Sequence, residues 1–183
     1  MDSYHLSRRE LLRCAILLAG GTATALPSEL FAAAAEAPRF FDPPQFELLD
    51  AVCEIIIPAT DTPGARGAGV PAAFDALMHN WASPQRRKDF NALLAAIDAA
   101  ALAQGGATLL KLPPLRQIEV ITQFDAVRYR KDSTYTKFKE LVVRLYYLSD
   151  VGATQELRYE PVPGVWDPAL KITPKTRAWA TPK

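Results

Sequence analysis

Enzymatic chemistry usually draws on histidine, cysteine or paired carboxylates, and the 183-residue chain is sparing with the first two: His5, His79, Cys14 and Cys53 are all it has. Metal sites need several such ligands at workable spacing. Nothing here supplies them. No C-x-x-C-H run exists for covalent haem, and a nucleophile arrangement in the body of the chain would have to use His79, with no activated partner in view. His79 reads as a surface or capping residue. Asp61, Asp75 and Asp125 are far apart in sequence and are explained by caps and surface charge. Asp61, in "TDTPG", reads as a turn former whose carboxylate takes backbone amides two residues on. Gly64, Gly67 and Gly69 form G-x-x-G-x-G, the wrong order for a dinucleotide loop, with Pro58 and Pro63 breaking the approach. The expectation is that this chain has no catalytic residues, metal or cofactor of its own.

The one motif with an evident task lies at the N-terminus. Ser7, Arg8, Arg9, Glu10, Leu11, Leu12 and Arg13 precede an apolar run, Cys14 to Leu26, containing two glycines and two threonines. That run is shorter and milder than the roughly 20 apolar residues that span a bilayer. A basic start, a short apolar stretch and small residues after it are the layout of an export signal. The paired arginines with Leu11 and Leu12 resemble the bacterial twin-arginine (Tat) motif, although an ordinary secretory signal stays open. Ala33 and Ala35 suit a peptidase that needs small side chains, which places cleavage after Ala35. The expectation is a signal over residues 1–35, the Tat translocase as a transient partner, and a periplasmic domain over 36–183. Cys14 directly follows Arg13 and has the apolar run after it, the reverse of a lipid-attachment cysteine.

Lysine plus arginine number 21 against 20 acidic residues, a net charge of +1, so no basic excess marks a nucleic-acid partner. Loss of the signal would leave Cys53 as a lone thiol, either buried or paired with another chain.

Helical periodicity recurs along residues 36–183 and strand alternation is scarce, which predicts an all-α fold: a small bundle of about five helices. Asp42, Pro43, Pro44 and Gln45 read as an N-cap, two tolerated prolines and a capping-box residue. Leu49, Val52, Cys53 and Ile56 then share a face until Pro58. The stretch from Ala59 to Pro71 is a loop of defined shape. A second helix opens at Pro71 and runs to Trp81, and a third follows Ser83 and Pro84 with Phe90, Leu93, Leu94 and Ile97 aligned. Gly105 and Gly106 stop it. A fourth starts at Pro113 and Pro114 and turns Ile118, Ile121, Phe124 and Val127 inward. The fifth begins near Ser133 with Phe138, Leu141, Val142 and Leu145 inward, and Gly152 is its expected terminator. From Glu156 the chain becomes rich in proline and aromatic residues without a sustained period, which predicts an irregular segment lying against the bundle or a partner.

Two of these blocks, "IIIPATDTPGARGAGVPAAFDALM" at 55–78 and "LSDVGATQELRYEPVPGVWDP" at 148–168, together with the final "TRAWAT", resemble the gluconate 2-dehydrogenase subunit 3 family. The resemblance implies a small, exported, non-catalytic helical subunit of a sugar or sugar-acid dehydrogenase, periplasmic or membrane-associated through its complex. It implies a large flavoprotein partner of the glucose-methanol-choline type, carrying FAD and the substrate site, and in many cases a cytochrome c subunit. On that reading the two irregular blocks form the docking surface, with Asp61, Pro63, Gly64, Tyr159, Pro163 and Trp166 as partner-binding candidates. Each also has an internal alternative, turn geometry for the first three and packing of the tail for the rest. Cys53 is either a buried thiol or an inter-subunit disulfide. Tyr146 and Tyr147 read as packing residues rather than an electron relay. A stand-alone periplasmic binding protein is the competing class.

Overall fold

The computed structural model describes residues 40–159, 169, 171–173 and 176–179. The signal residues Ser7, Arg8, Arg9, Leu11 and Leu12, the cleavage position Ala35, and Pro163 and Trp166 lie outside the described residues. Among the described residues five α-helices follow one another: α1 Pro43–Ile56, α2 Val70–Asn80, α3 Pro84–Gly105, α4 Pro114–Arg128 and α5 Ser133–Leu148. A 3₁₀ turn, Leu109–Lys111, precedes α4, and a π-helical turn, Gly152–Glu156, follows α5. The described residues contain no strand; Arg158 and Trp179 form an isolated parallel bridge.

Short-range chemistry starts and stops these helices. The Asp42 carboxylate accepts the Gln45 N–H at 2.8 Å, and Pro43 and Pro44 occupy positions whose missing N–H groups cost nothing. The Ile57 N–H closes α1 on the Cys53 carbonyl before Pro58. Gly69 sits at φ +71°, which glycine adopts without a steric penalty, so α2 opens at Val70 and places Pro71 second. The Ser83 hydroxyl caps α3 through the Arg86 N–H, and Gly106, also at φ +71°, ends it. Asp132 accepts from the Thr134 and Tyr135 amides to start α5.

The core centres on aromatic rings. Phe74 of α2 lies 5.5 Å from Phe90 of α3 and 5.2 Å from Phe138 of α5, and Phe41 reaches it from ahead of α1 at 6.3 Å. Around them Leu49, Val52, Ile97 and Val142 are wholly buried. The fourth helix joins this core through Ile121 and Phe124 as expected, but the buried face centres away from Ile118 and Val127. Val120, Ile121 and Phe124 are buried, whereas Ile118 is 47% and Val127 66% exposed. At ~100° per residue Ile118 stands about 110° from the centre of the buried face. Gly152 also departs from expectation: α5 stops at Leu148, Ser149 caps it, and Gly152 opens the π turn. A Cβ at Gly152 would collide with the Tyr146 carbonyl.

Asp75 is the one buried acidic residue among those described, at 3% exposure. It caps no helix. Its carboxylate accepts the backbone N–H groups of Phe40 and Phe41 at 2.9 Å each, holding Phe41 in the aromatic cluster. Asp125, on α4, accepts the Tyr135 hydroxyl at 3.0 Å and the Lys139 ammonium at 2.6 Å, so it ties α4 to α5. Removing a buried acceptor leaves its donors unsatisfied at a cost of about 1–3 kcal/mol. Asp75→Ala is expected to lower stability by about that amount in urea denaturation, while Asp75→Asn, which keeps one acceptor oxygen, loses less. Equal loss from both substitutions would contradict the assigned role.

Candidate functional site

The segment between α1 and α2 has no regular structure, yet its backbone polar groups are largely satisfied from within the chain. The Ala65 N–H donates to the Ile57 carbonyl at 2.9 Å, Val70 to Ala65 at 3.0 Å, and Ala68 to Gly64 at 3.0 Å. Glu54, on the last turn of α1, clasps both ends of the loop: one oxygen accepts the Ala59 N–H at 3.1 Å and the other the Arg66 N–H at 2.8 Å. Arg66 turns back to Asp50, donating from Nε at 2.7 Å. That hydrogen bond, against weaker opposition from burial, raises the guanidinium pKa. The Arg66 side chain is 60% exposed, so the pair contributes at most about 1 kcal/mol and the Glu54 clasp is the stronger restraint.

Two further contacts fasten this loop, one to the second irregular block and one to α5. The Thr62 hydroxyl donates to Glu156 at 2.7 Å, bridging to the π turn, and the Tyr146 hydroxyl of α5 donates to the Pro63 carbonyl at 2.9 Å. Segments more than eighty residues apart in sequence therefore meet along one side of the bundle. Thr62, Glu156, Glu54 and Tyr146 make the junction. Sequence reading passed over the first three, because a threonine, a glutamate in a tail and a glutamate on a helix flank carry no local sign of a distant partner.

The candidate residues divide by exposure. Asp61 is exposed and accepts the Thr60 hydroxyl at 3.0 Å. This corrects the expected turn, since Pro63, two residues on, has no N–H to give. Pro63 is half-buried and contributes its carbonyl inward. Gly64 is buried, and a Cβ there would lie 2.5 Å from both the Ala59 nitrogen and Glu54 Oε1, so its smallness serves the loop's own closure. Tyr159 is 42% exposed, beside the bridge in which the Arg158 N–H donates to the Ala178 carbonyl at 2.8 Å and the Arg158 guanidinium lies 4.2 Å from the Trp179 ring centre. Tyr147 is 41% exposed, its ring edge-on to that of Tyr146.

Cys53 is fully buried in the apolar face of α1. Burial foremost, then the negative charges of Asp50 and Glu54, push its thiol pKa well above the ordinary range, so it stays protonated. A disulfide to another chain would require the core to open. Among the described residues no group of three or more His, Cys, Asp or Glu is placed to hold a metal ion, and no helix is long and apolar enough to cross a membrane. His79 is half-buried near the end of α2, and its backbone carbonyl accepts from Arg87 at 2.6 Å.

The family model for gluconate 2-dehydrogenase subunit 3 covers residues 43–164, from the first residue of α1 into the C-terminal segment, and the chain belongs to that family. No curated protein and no solved structure matches it.

Internal and outward roles separate by mutation. Gly64→Ala is expected to destabilise the chain by about 1–3 kcal/mol, because backbone and a clasping carboxylate must move, whereas Asp61→Ala should stay within about 0.5 kcal/mol of the parent. Thermal or urea unfolding decides this, and a neutral Gly64→Ala would contradict the tight closure. In a Cys14→Ser background, Cys53 is expected to resist a thiol-specific dye in the native chain and to react once in denaturant. Rapid native labelling would contradict its burial.

Proposed function

We propose that this member of the gluconate 2-dehydrogenase subunit 3 family is the non-catalytic small subunit of a periplasmic sugar or sugar-acid dehydrogenase. Its partner is a large flavoprotein of the glucose-methanol-choline type that carries FAD and the substrate site. A cytochrome c subunit accepting the electrons fits the same reading. The observation that carries the proposal is the family match over residues 43–164. The junction of the two irregular blocks supports it by offering a restrained surface, and a surface already ordered before docking loses less entropy on binding.

The export signal gives this subunit its second task. A flavoprotein acquires FAD by folding around it in the cytoplasm, and a folded protein cannot thread a translocon for unfolded chains. A small subunit bearing Arg8 and Arg9 and docked on the folded flavoprotein would take both through the Tat pore. The complex, associated with the membrane or free in the periplasm, would then depend on this chain for both delivery and stability.

Isolation of the tagged chain from the periplasm of its native host is expected to bring with it a yellow, dye-reducing flavoprotein. A solitary monomer would favour the stand-alone binding protein instead. In cells lacking this chain the flavoprotein is expected to remain in the cytoplasm, as is also expected for Arg8→Lys/Arg9→Lys. Its normal arrival in the periplasm of the deletion strain would overturn the escort role.

A further inference from the structure

A groove of about 430 Å³ runs between the end of α2, the start of α3 and the length of α5. Its surface is mainly apolar, with Leu77, Trp81, Leu141, Leu145 and Leu148 among the lining residues and the Phe90 ring at its base. Among the described lining residues Arg86, Lys137 and Arg144 are cationic and Glu140 is acidic. In a chain whose net charge is only +1, this is a local concentration of positive charge over an apolar floor.

The beginning of α3 points the same way. The positive end of a helix dipole favours anionic neighbours, and α1 and α5 comply, each started by an aspartate, Asp42 or Asp132. α3 does the opposite. Its N-cap is the neutral Ser83, its first turn holds no acidic residue, and Arg86 and Arg87 stand in that turn. Arg87 is engaged inward, donating to the His79 carbonyl and lying 5.6 Å from the Phe40 ring centre. Arg86 lies 5.4 Å from the Phe90 ring centre and borders the groove. Cations at a helix start are a local cost that an anionic ligand in the groove would remove.

The groove also has a length. On α5 its lining runs from Lys137 through Leu141 and Leu145 to Leu148, three helical turns or about 16 Å. An open apolar trough of that length, edged by cations, fits an amphipathic helix whose apolar stripe enters it and whose flanking carboxylates meet the rim. We propose that this groove receives an acidic amphipathic helix of the large flavoprotein subunit. The proposal rests on the reading of the chain as that subunit's partner and adds a second contact region to the junction of irregular blocks.

The test uses the tagged full chain and the large subunit from the native host. Arg86→Glu/Lys137→Glu/Arg144→Glu is expected to weaken the complex by about a hundredfold, with the loss growing smaller as salt is raised. Lys111→Glu/Lys131→Glu, a reversal of exposed charges away from the groove, should leave affinity within about threefold. Circular dichroism and melting temperature establish that each variant folds. A photoreactive side chain at Leu148 of the otherwise unaltered chain gives a readout that does not depend on the triple variant's folding. It is expected to label an acidic, apolar-striped helix of the flavoprotein. Label on a second copy of this chain or on an acyl lipid, or undiminished affinity of the folded triple variant, overturns the groove's assignment while leaving the complex intact. Failure of the unaltered chain to bind any flavoprotein overturns instead the functional reading on which the groove depends.

Discussion

The fold turns on the placement of one ring. Phe74 meets Phe41, Phe90 and Phe138, so the segment before α1 and the helices α2, α3 and α5 converge on a single side chain. Such ring pairs contribute about 0.5–1.5 kcal/mol each beyond the apolar area they bury. Their larger effect is geometric. Phe90 and Phe138 also contact each other at 5.7 Å, so α3 and α5 cannot slide independently of α2. The buried Asp75, next to Phe74 in sequence, fixes Phe41 by its backbone, and the two adjacent residues thereby secure the chain before α1 from both its apolar and polar sides. The fourth helix packs chiefly against α3 and is pinned to α5 through Phe124 against Tyr135 and through Asp125 to Tyr135 and Lys139.

Because the bundle is held this firmly, it can carry irregular backbone at its edge. Thirteen residues rich in proline and glycine would ordinarily be a costly loop to order. Here the cost is reduced in the unfolded state by Pro58 and Pro63, and met in the folded state by Glu54, Tyr146 and Glu156. The outcome is a surface whose shape is set by the chain itself. Gly64 and Pro63 belong to the making of that surface, and Asp61 and Tyr159 to what it displays. A surface ordered in this way would lose little freedom in the docking proposed above.

The groove beside α5 and the loop junction draw on the same helix. α5 gives Tyr146 to the loop and Leu141, Leu145 and Leu148 to the groove, from the two edges of its buried face. A helix buried on one side by Phe138 and Val142 thus serves the loop from one edge of that side and the groove from the other.

The helix starts were legible because each is written within four residues: Asp42 with two prolines, Ser83 with Pro84, the proline pair at 113–114. So were the stops at Gly106 and Pro58, the burial of Leu49, Val52 and Cys53, and the family, which the odd composition of two long blocks betrays. The inward face of α4 was misread at Ile118 and Val127, since an apolar residue at helical spacing is compatible with either side of the buried centre and only the neighbouring helices choose. Gly152 was read as a stop because a glycine after a helix usually is one; here the chain passes so close to the Tyr146 carbonyl that no side chain fits. By itself, then, the sequence determined the helices, their order and the kinship. Tertiary structure alone decided that Asp75 is buried, that Thr62 finds Glu156, and that three cations gather over one apolar groove, because those facts depend on which distant elements pack together, and no local spacing encodes that.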